Sequence, residues 1–243
     1  MSPHEFLNVI GFSRHTSNYP EKLISAVGGF LGIFGILLIS QWLLDPDVAV
    51  MIVPSMGASA VLLFAAPHAP FSQPWNVIGG HALAAIIGVA CWQWIPDYTV
   101  AASASVGLAI GAMYLARCIH PPGGATALAA VIGSERLHEL GYAYGYEPIL
   151  MNAVTILLIA IVFNSLFRWR RYPAHLHAGK RVDVSEFPGY APIKHEDFVY
   201  ALSHIDTFVD ITEEDLLEIY ELATRRHVES SPRSQQATGP AES

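Results

Sequence analysis

Two histidines, two hydroxyl side chains and one arginine carry most of the chemistry this sequence offers, because each stands in or beside a stretch with few other polar groups. An imidazole titrates near neutral pH, so His81 and His120 can donate to a solute, accept from one, or carry a proton. Ser59 and Thr126 add hydroxyl donors. Arg117 is the only Lys or Arg between Lys22 and Arg136 and stands three residues before His120, where its charge would attract an anion. Plainer accounts exist for each: a histidine in an apolar helix can be a packing residue with one satisfied bond, and an arginine at a segment end can snorkel to the interface. His68, in a polar loop, reads as exposed.

The two hydroxyls belong to two copies of one motif. Pro54-Ser55-Met56-Gly57-Ala58-Ser59-Ala60 and Pro121-Pro122-Gly123-Gly124-Ala125-Thr126-Ala127 match at Pro, Gly, Ala and Ala, with Ser59 facing Thr126 at an offset of 67 residues. Each copy opens an apolar run and is followed, after a polar loop, by a longer one, so the chain reads as an internal duplication, inverted or tandem. Proline lacks a backbone donor and breaks helices, and glycine leaves neighbouring amides uncovered. A short helix starting after each break would present unpartnered N–H groups and the positive end of its dipole, a ready place for an anion. The candidate binding residues are Ser55, Gly57, Ala58 and Ser59 from the first copy and Gly123, Gly124 and Thr126 from the second, together with His81, Arg117 and His120. The blander account is that these prolines and glycines kink two helices for close packing.

The elements that must hold these residues are membrane helices. Hydrophobic types make up 52% of the 243 residues and charged ones only 14%. Between Leu23 and Ala116 there is no Lys, Arg or Glu, and the only acids are Asp45, Asp47 and Asp97. Such a stretch cannot cover a water-exposed surface. A spanning helix needs about 20 mostly apolar residues, which Leu23 to Leu44 supplies; the run is too long for a signal peptide and lacks a cleavage site. Further apolar segments run over Val48 to Ala66, Val77 to Ile95, Val100 to Ala116, Gly123 to Gly133 and Ile149 to Phe167. Trp42, Trp75, Trp92, Trp94, Tyr98 and Trp169 sit near their ends, where amphipathic rings favour the headgroups.

The fold class expected is therefore all-α: a polytopic helical membrane protein with two repeats and four to six membrane segments, including two Pro/Gly-broken half-helices, plus a short helical tail. Arg14 and Lys22 before the first segment, and Arg168, Arg170 and Arg171 after the last, predict that both termini are cytoplasmic and the crossings even in number. The expected organisation is a cytoplasmic segment over 1–19 and a transmembrane domain over 20–172. Its repeats span about 20–95 and 99–168, and they are followed by an acidic helical tail over 173–228 and a disordered end over 229–243. Helices are predicted over 195–211 and from Glu213 to about His227. The tail holds 13 of the 21 acidic residues and 6 of the 13 basic ones, which excludes nucleic acid as a partner. The lipid bilayer and a small anion are the partners expected, and the sequence leaves a homo-oligomer open.

No cofactor and no metal is expected. Cys91 and Cys118 stand alone in hydrophobic segments, with neither disulfide nor zinc spacing. No paired carboxylates and no Ser/Lys dyad lie in the membrane segments, so an enzyme is not expected.

The stretch Arg117-Cys118-Ile119-His120-Pro121-Pro122-Gly123-Gly124-Ala125-Thr126-Ala127-Leu128 resembles the signature of the HPP family of membrane proteins, named for its His-Pro-Pro triplet. Gly57 to Phe64, Gln73-Pro74-Trp75-Asn76 and Gly79-Gly80-His81 are similar to its other recurring stretches, so the resemblance covers about residues 20–172. It implies four membrane-spanning helices and, from members in plastids and cyanobacteria, nitrite transport; many bacterial members have no settled role. The resulting expectation is a transporter or channel for a small anion, nitrite first, in the cell membrane (the inner membrane in a bacterium), with the anion at two half-helix N-termini. The alternatives are an intramembrane enzyme using His120 and a membrane scaffold whose acidic tail binds a partner.

Overall fold

The computed structural model describes residues 19–43, 46–174 and 220 of the chain. The expected N-terminal segment, the tail helices over 195–211 and 213–227 and the C-terminal end lie outside them. The described fold is helical throughout: α1 (Tyr19–Leu43), α2 (Pro46–Ala65), α3 (Pro74–Trp94), α4 (Tyr98–Leu115), α5 (Pro122–Ile132), the short α6 (Glu135–Glu139) and α7 (Met151–Ser165). A π-helical turn over Gly145–Leu150 takes up Pro148 and leads directly into α7.

Four stretches among the described residues are long and apolar enough to cross a bilayer: α1, α3, α4 and Gly145–Ser165; the apolar part of α2, Pro54–Ala65, and α5, Pro122–Ile132, are shorter. Only 22% of the spanning window in α1 and in α4 is buried inside the protein, against 50% in α3 and in Gly145–Ser165. The first pair therefore lies at the periphery. Outward-facing Phe30, Leu108, Ile110 and Val162 meet lipid, the solvent a membrane protein's apolar surface suits. Trp42, Trp75, Trp94, Tyr98 and Trp169 are exposed near segment ends, whereas Trp92 turns inward and stacks on His138 at 4.2 Å.

Helices in lipid gain nothing from hydrophobic burial and associate through close packing. The inner stripe of α1 is Gly28, Gly32, Ile36 and Ser40, spaced by four. A Cβ at Gly28 would come within 2.5 Å of the Phe64 ring, and one at Gly32 within 2.6 Å, so glycine is what lets α1 lie on α2. Ser40 Oγ donates to Asn152 Oδ1 (3.1 Å) and ties α1 to α7.

One face of the bundle is clasped by polar bonds. Arg170, 1% exposed, pairs with Glu21, donates to Asn164 Oδ1 and caps α2 through the Phe64 carbonyl. Tyr172 donates to the Ser72 carbonyl (2.5 Å), and the Ala174 amide donates to Gln73 Oε1 (3.0 Å). Burial pushes the Tyr172 phenol up from its ordinary value, which keeps it a neutral donor. Tyr19, Ala174 and the 66–73 connection thus share one face.

The sequence predicts breaks at both Pro54 and Pro121-Pro122. The second is observed: the chain leaves the helix after Leu115 and re-enters it at Pro122. The first is not a gap, because α2 keeps a helical backbone through Pro54. A proline costs a helix one donor and crowds one carbonyl, and packing against neighbouring helices holds the rest in place.

Candidate functional site

The sharp turn that ends α4 sets the site up. Ala116 is its C-cap, and Arg117 follows at φ +53°, with the Arg117 amide donating to Tyr114 O (3.2 Å) and the Cys118 amide to Met113 O (3.0 Å). This is a Schellman closure with an arginine in the position that favours glycine. It reverses the chain so that residues 118–121 run back against the first turns of α3. There the Trp75 indole donates to Ala116 O (3.2 Å) and Asn76 Nδ2 to Ile119 O (2.9 Å). Gly79 and Gly80 make room: a Cβ on Gly80 would lie 2.5 Å from His120 Cβ.

His120 is thereby delivered into the bundle, where four of the candidate residues join in one hydrogen-bonded chain. Thr126 Oγ1 lies 2.8 Å from His81 Nδ1, His81 Nε2 is 2.9 Å from Ser59 Oγ, and Ser59 Oγ is 2.9 Å from His120 Nε2. His120 Nδ1 then reaches the Phe71 carbonyl at 2.8 Å. All four side chains are 0% exposed, and the two rings meet edge to face at 4.9 Å. Ser59 and Thr126, equivalent residues of the two motif copies, hold opposite nitrogens of one ring. Tyr144, also buried, donates to the Thr126 carbonyl (3.0 Å) and fixes that end.

The Phe71 carbonyl is itself held in place. It lies in a 3-10 turn (Pro70–Ser72) whose Ser72 hydroxyl donates to Ala66 O (2.7 Å) with Leu62 O beside it at 3.2 Å, and whose neighbour Gln73 donates to Pro67 O and Ala69 O.

The remaining candidates stand apart from this chain. Ser55 is buried one turn before Ser59, and its carbonyl lies 3.2 Å from the Ser59 hydroxyl as an alternative acceptor. Gly57 and Ala58 lie within α2, with their amides inside a continuous helix; Gly57 has open space beside it. At the start of α5 the Gly123 amide donates to His120 O (2.8 Å) and the Gly124 amide to Pro121 O (3.1 Å). Those N–H groups are engaged within the chain. The Arg117 side chain is exposed. His68 is half-buried and bonds the Arg171 carbonyl at 3.2 Å. No group of three or more His, Cys, Asp or Glu that could hold a metal occurs among the described residues.

Sequence reasoning did not find Phe71, because a backbone acceptor leaves no mark in residue type. It also treated Arg170 as one flanking charge among three. Asn76 was legible only as part of the recurring Gln-Pro-Trp-Asn stretch.

An apolar helical bundle with a polar chain sealed between its helices defines a multi-pass integral membrane protein, an architecture consistent with a transporter or channel. The profile of the HPP family, transmembrane region, matches residues 14–173, and the chain belongs to that family. It is similar to two transmembrane proteins of Dictyostelium discoideum. One is 36% identical over 153 residues, covering 61% of this chain and 49% of the relative. The other is 39% identical over 154 residues, covering 61% and 53%. The chain spans about half the length of these relatives. No solved structure matches it.

Proposed function

We propose that this protein is a transporter or channel for a small monovalent anion, nitrite first, in the cell membrane with both termini, and so the clasped face of the bundle, cytoplasmic. The observation that carries the reading is the sealed chain Thr126–His81–Ser59–His120. A membrane bundle hides polar side chains at its centre at a cost, and where it does so they mark a solute or ion path. The residues come from α2, α3, α5 and the α4–α5 break, so the chain sits where the two motif copies meet. Because the α5 amides are fixed in backbone hydrogen bonds, the donors that can turn from their present partners toward an anion are the side-chain hydroxyls and imidazoles. On this reading the half-helix start serves to aim Thr126 and His120. The same reading asks no covalent chemistry of these residues.

The test is flux. Purified protein in liposomes carries nitrite inward down an imposed gradient, above the leak of empty vesicles. No flux of nitrite, nitrate, formate or chloride above that leak overturns the proposal.

One observation favours a second reading, an intramembrane hydrolase. Ser59 Oγ bonds His120 Nε2 at 2.9 Å, and His120 is oriented by the Phe71 carbonyl at 2.8 Å, which is the order of nucleophile, base and orienting group. Covalent labelling of Ser59 by a fluorophosphonate, lost in Ser59→Ala, would establish it. The transport reading predicts no labelling.

A further inference from the structure

The hydrogens of the buried chain can be assigned one by one. The Phe71 carbonyl only accepts, so His120 Nδ1 carries a hydrogen. A neutral His120 then accepts at Nε2, and Ser59 must donate to it. Ser59 in turn accepts from His81 Nε2–H, which leaves His81 Nδ1 to accept from the Thr126 hydroxyl. Every link is satisfied and points from Thr126 toward Phe71.

A second arrangement fits the same atoms with one proton more. If His120 carries hydrogens on both nitrogens, Nε2–H donates to Ser59 Oγ, and the Ser59 hydroxyl turns to the Ser55 carbonyl, 3.2 Å away. Ser59 Oγ then accepts from both imidazoles and donates to Ser55, and no hydrogen bond is lost. The same is not offered at His81. A hydrogen on its Nδ1 would displace the Thr126 hydroxyl from its acceptor, and no bond from Thr126 Oγ1 to another acceptor is present among the described residues.

Resting on the transport reading above, we propose that His120 is a one-proton site and that the anion crosses together with that proton. Charge decides it. Helices α3, α4, α5 and α7 contain no Asp, Glu, Lys or Arg, and Arg117 at the break is exposed. The groups packed around the pair are uncharged: Ser55 and Ser59 from α2, Asn76 from α3, Met113 from α4, Cys118 from the α4–α5 break, Thr126 from α5 and Tyr144 beyond it. A bare anion in this place would have no countercharge, which buried charges require. Among the groups present, an imidazole alone can become positive there, and at 4.9 Å between rings one of the two does so at a time. The proton comes from the aqueous side that supplies the anion and leaves with it, so the pair moves without net charge.

The experiment uses the full chain in liposomes holding a pH dye, with potassium and valinomycin to set the membrane potential. Nitrite is measured with nitrate and chloride beside it, because these are anions of strong acids and do not leak as neutral molecules. Proton coupling predicts one proton acidifying the lumen per anion taken up, at a rate unchanged between inside-positive and inside-negative potentials. Ser59→Ala, a small change suited to a helix, lowers coupled uptake at least tenfold. Uptake driven by an inside-positive potential without acidification overturns the coupling and leaves the transport reading intact. No uptake of any anion overturns both.

Discussion

Gly80 gives the sharpest test of how His120 is positioned. A Cβ built there lies 2.5 Å from His120 Cβ, 3.0 Å from Cys118 O and 3.4 Å from Met113 Sδ. The first contact must open by about 0.9 Å to reach ordinary van der Waals distance at 3.4 Å, and neither partner is the far end of a flexible side chain. Residues 118–120 would have to move off α3. That motion stretches the 2.9 Å bond from Ser59 to His120 and the 2.8 Å bond to Phe71 past useful length. Overpacking costs about 1–3 kcal/mol, and a lost buried hydrogen bond adds about 1 kcal/mol. Gly80→Ala should therefore lower the unfolding midpoint in detergent and reduce anion flux at least tenfold. Gly107→Ala is the control: its Cβ meets nothing within 4 Å and its face is exposed to lipid, so stability and flux should hold or rise slightly. Wild-type midpoint and flux in Gly80→Ala would refute the placement of His120 against α3.

Four further outcomes follow from other contacts in the bundle. Arg170→Met should cost about 3–5 kcal/mol, because it leaves Glu21 without its buried partner and the Phe64 carbonyl uncapped; the change is read as a fall in thermal midpoint that Glu21→Gln in the same chain partly restores. Gly32→Val should loosen α1 from Phe64, 2.6 Å from the added Cβ, by about 1–3 kcal/mol, measured by the same melt, with flux per folded protein unchanged. Arg117→Gly should stabilise the α4 turn by about 1 kcal/mol, since glycine bears φ +53° without the clash an L side chain suffers. If Arg117 also aims charge at the anion, Arg117→Gln weakens affinity by roughly tenfold, the scale of one charge-assisted bond; unchanged affinity removes it from the site.

The six apolar segments were legible because a helix in lipid must be apolar over its whole length, and the prolines, Asp-Pro-Asp and polar loops that end the segments are blunt signals. Ser59, His81, His120 and Thr126 were legible for the converse reason: polar side chains in such segments stand out. Their mutual arrangement was not. Whether Pro54 opens a helix or rides within it depends on what packs against α2, and the same residue type gave a continuous helix in one copy and a break in the other. The free amides expected at Gly123 and Gly124 are consumed by carbonyls of His120 and Pro121, a backbone event with no side-chain signature. The burial of Arg170 depends on Glu21, 149 positions away, and no local pattern announces such a pair.

The claim that the sealed chain is the solute path is tested most directly by nitrite flux through Ser59→Ala in liposomes, at matched incorporation beside wild type and the lipid-facing Gly107→Ala. Ser59 sits between both imidazoles, and its loss breaks two links of 2.9 Å at once while removing a single oxygen. Flux at least tenfold below wild type, in a protein that still folds with its melting midpoint lowered by the two lost bonds, is the predicted result. Wild-type flux through Ser59→Ala would contradict the account.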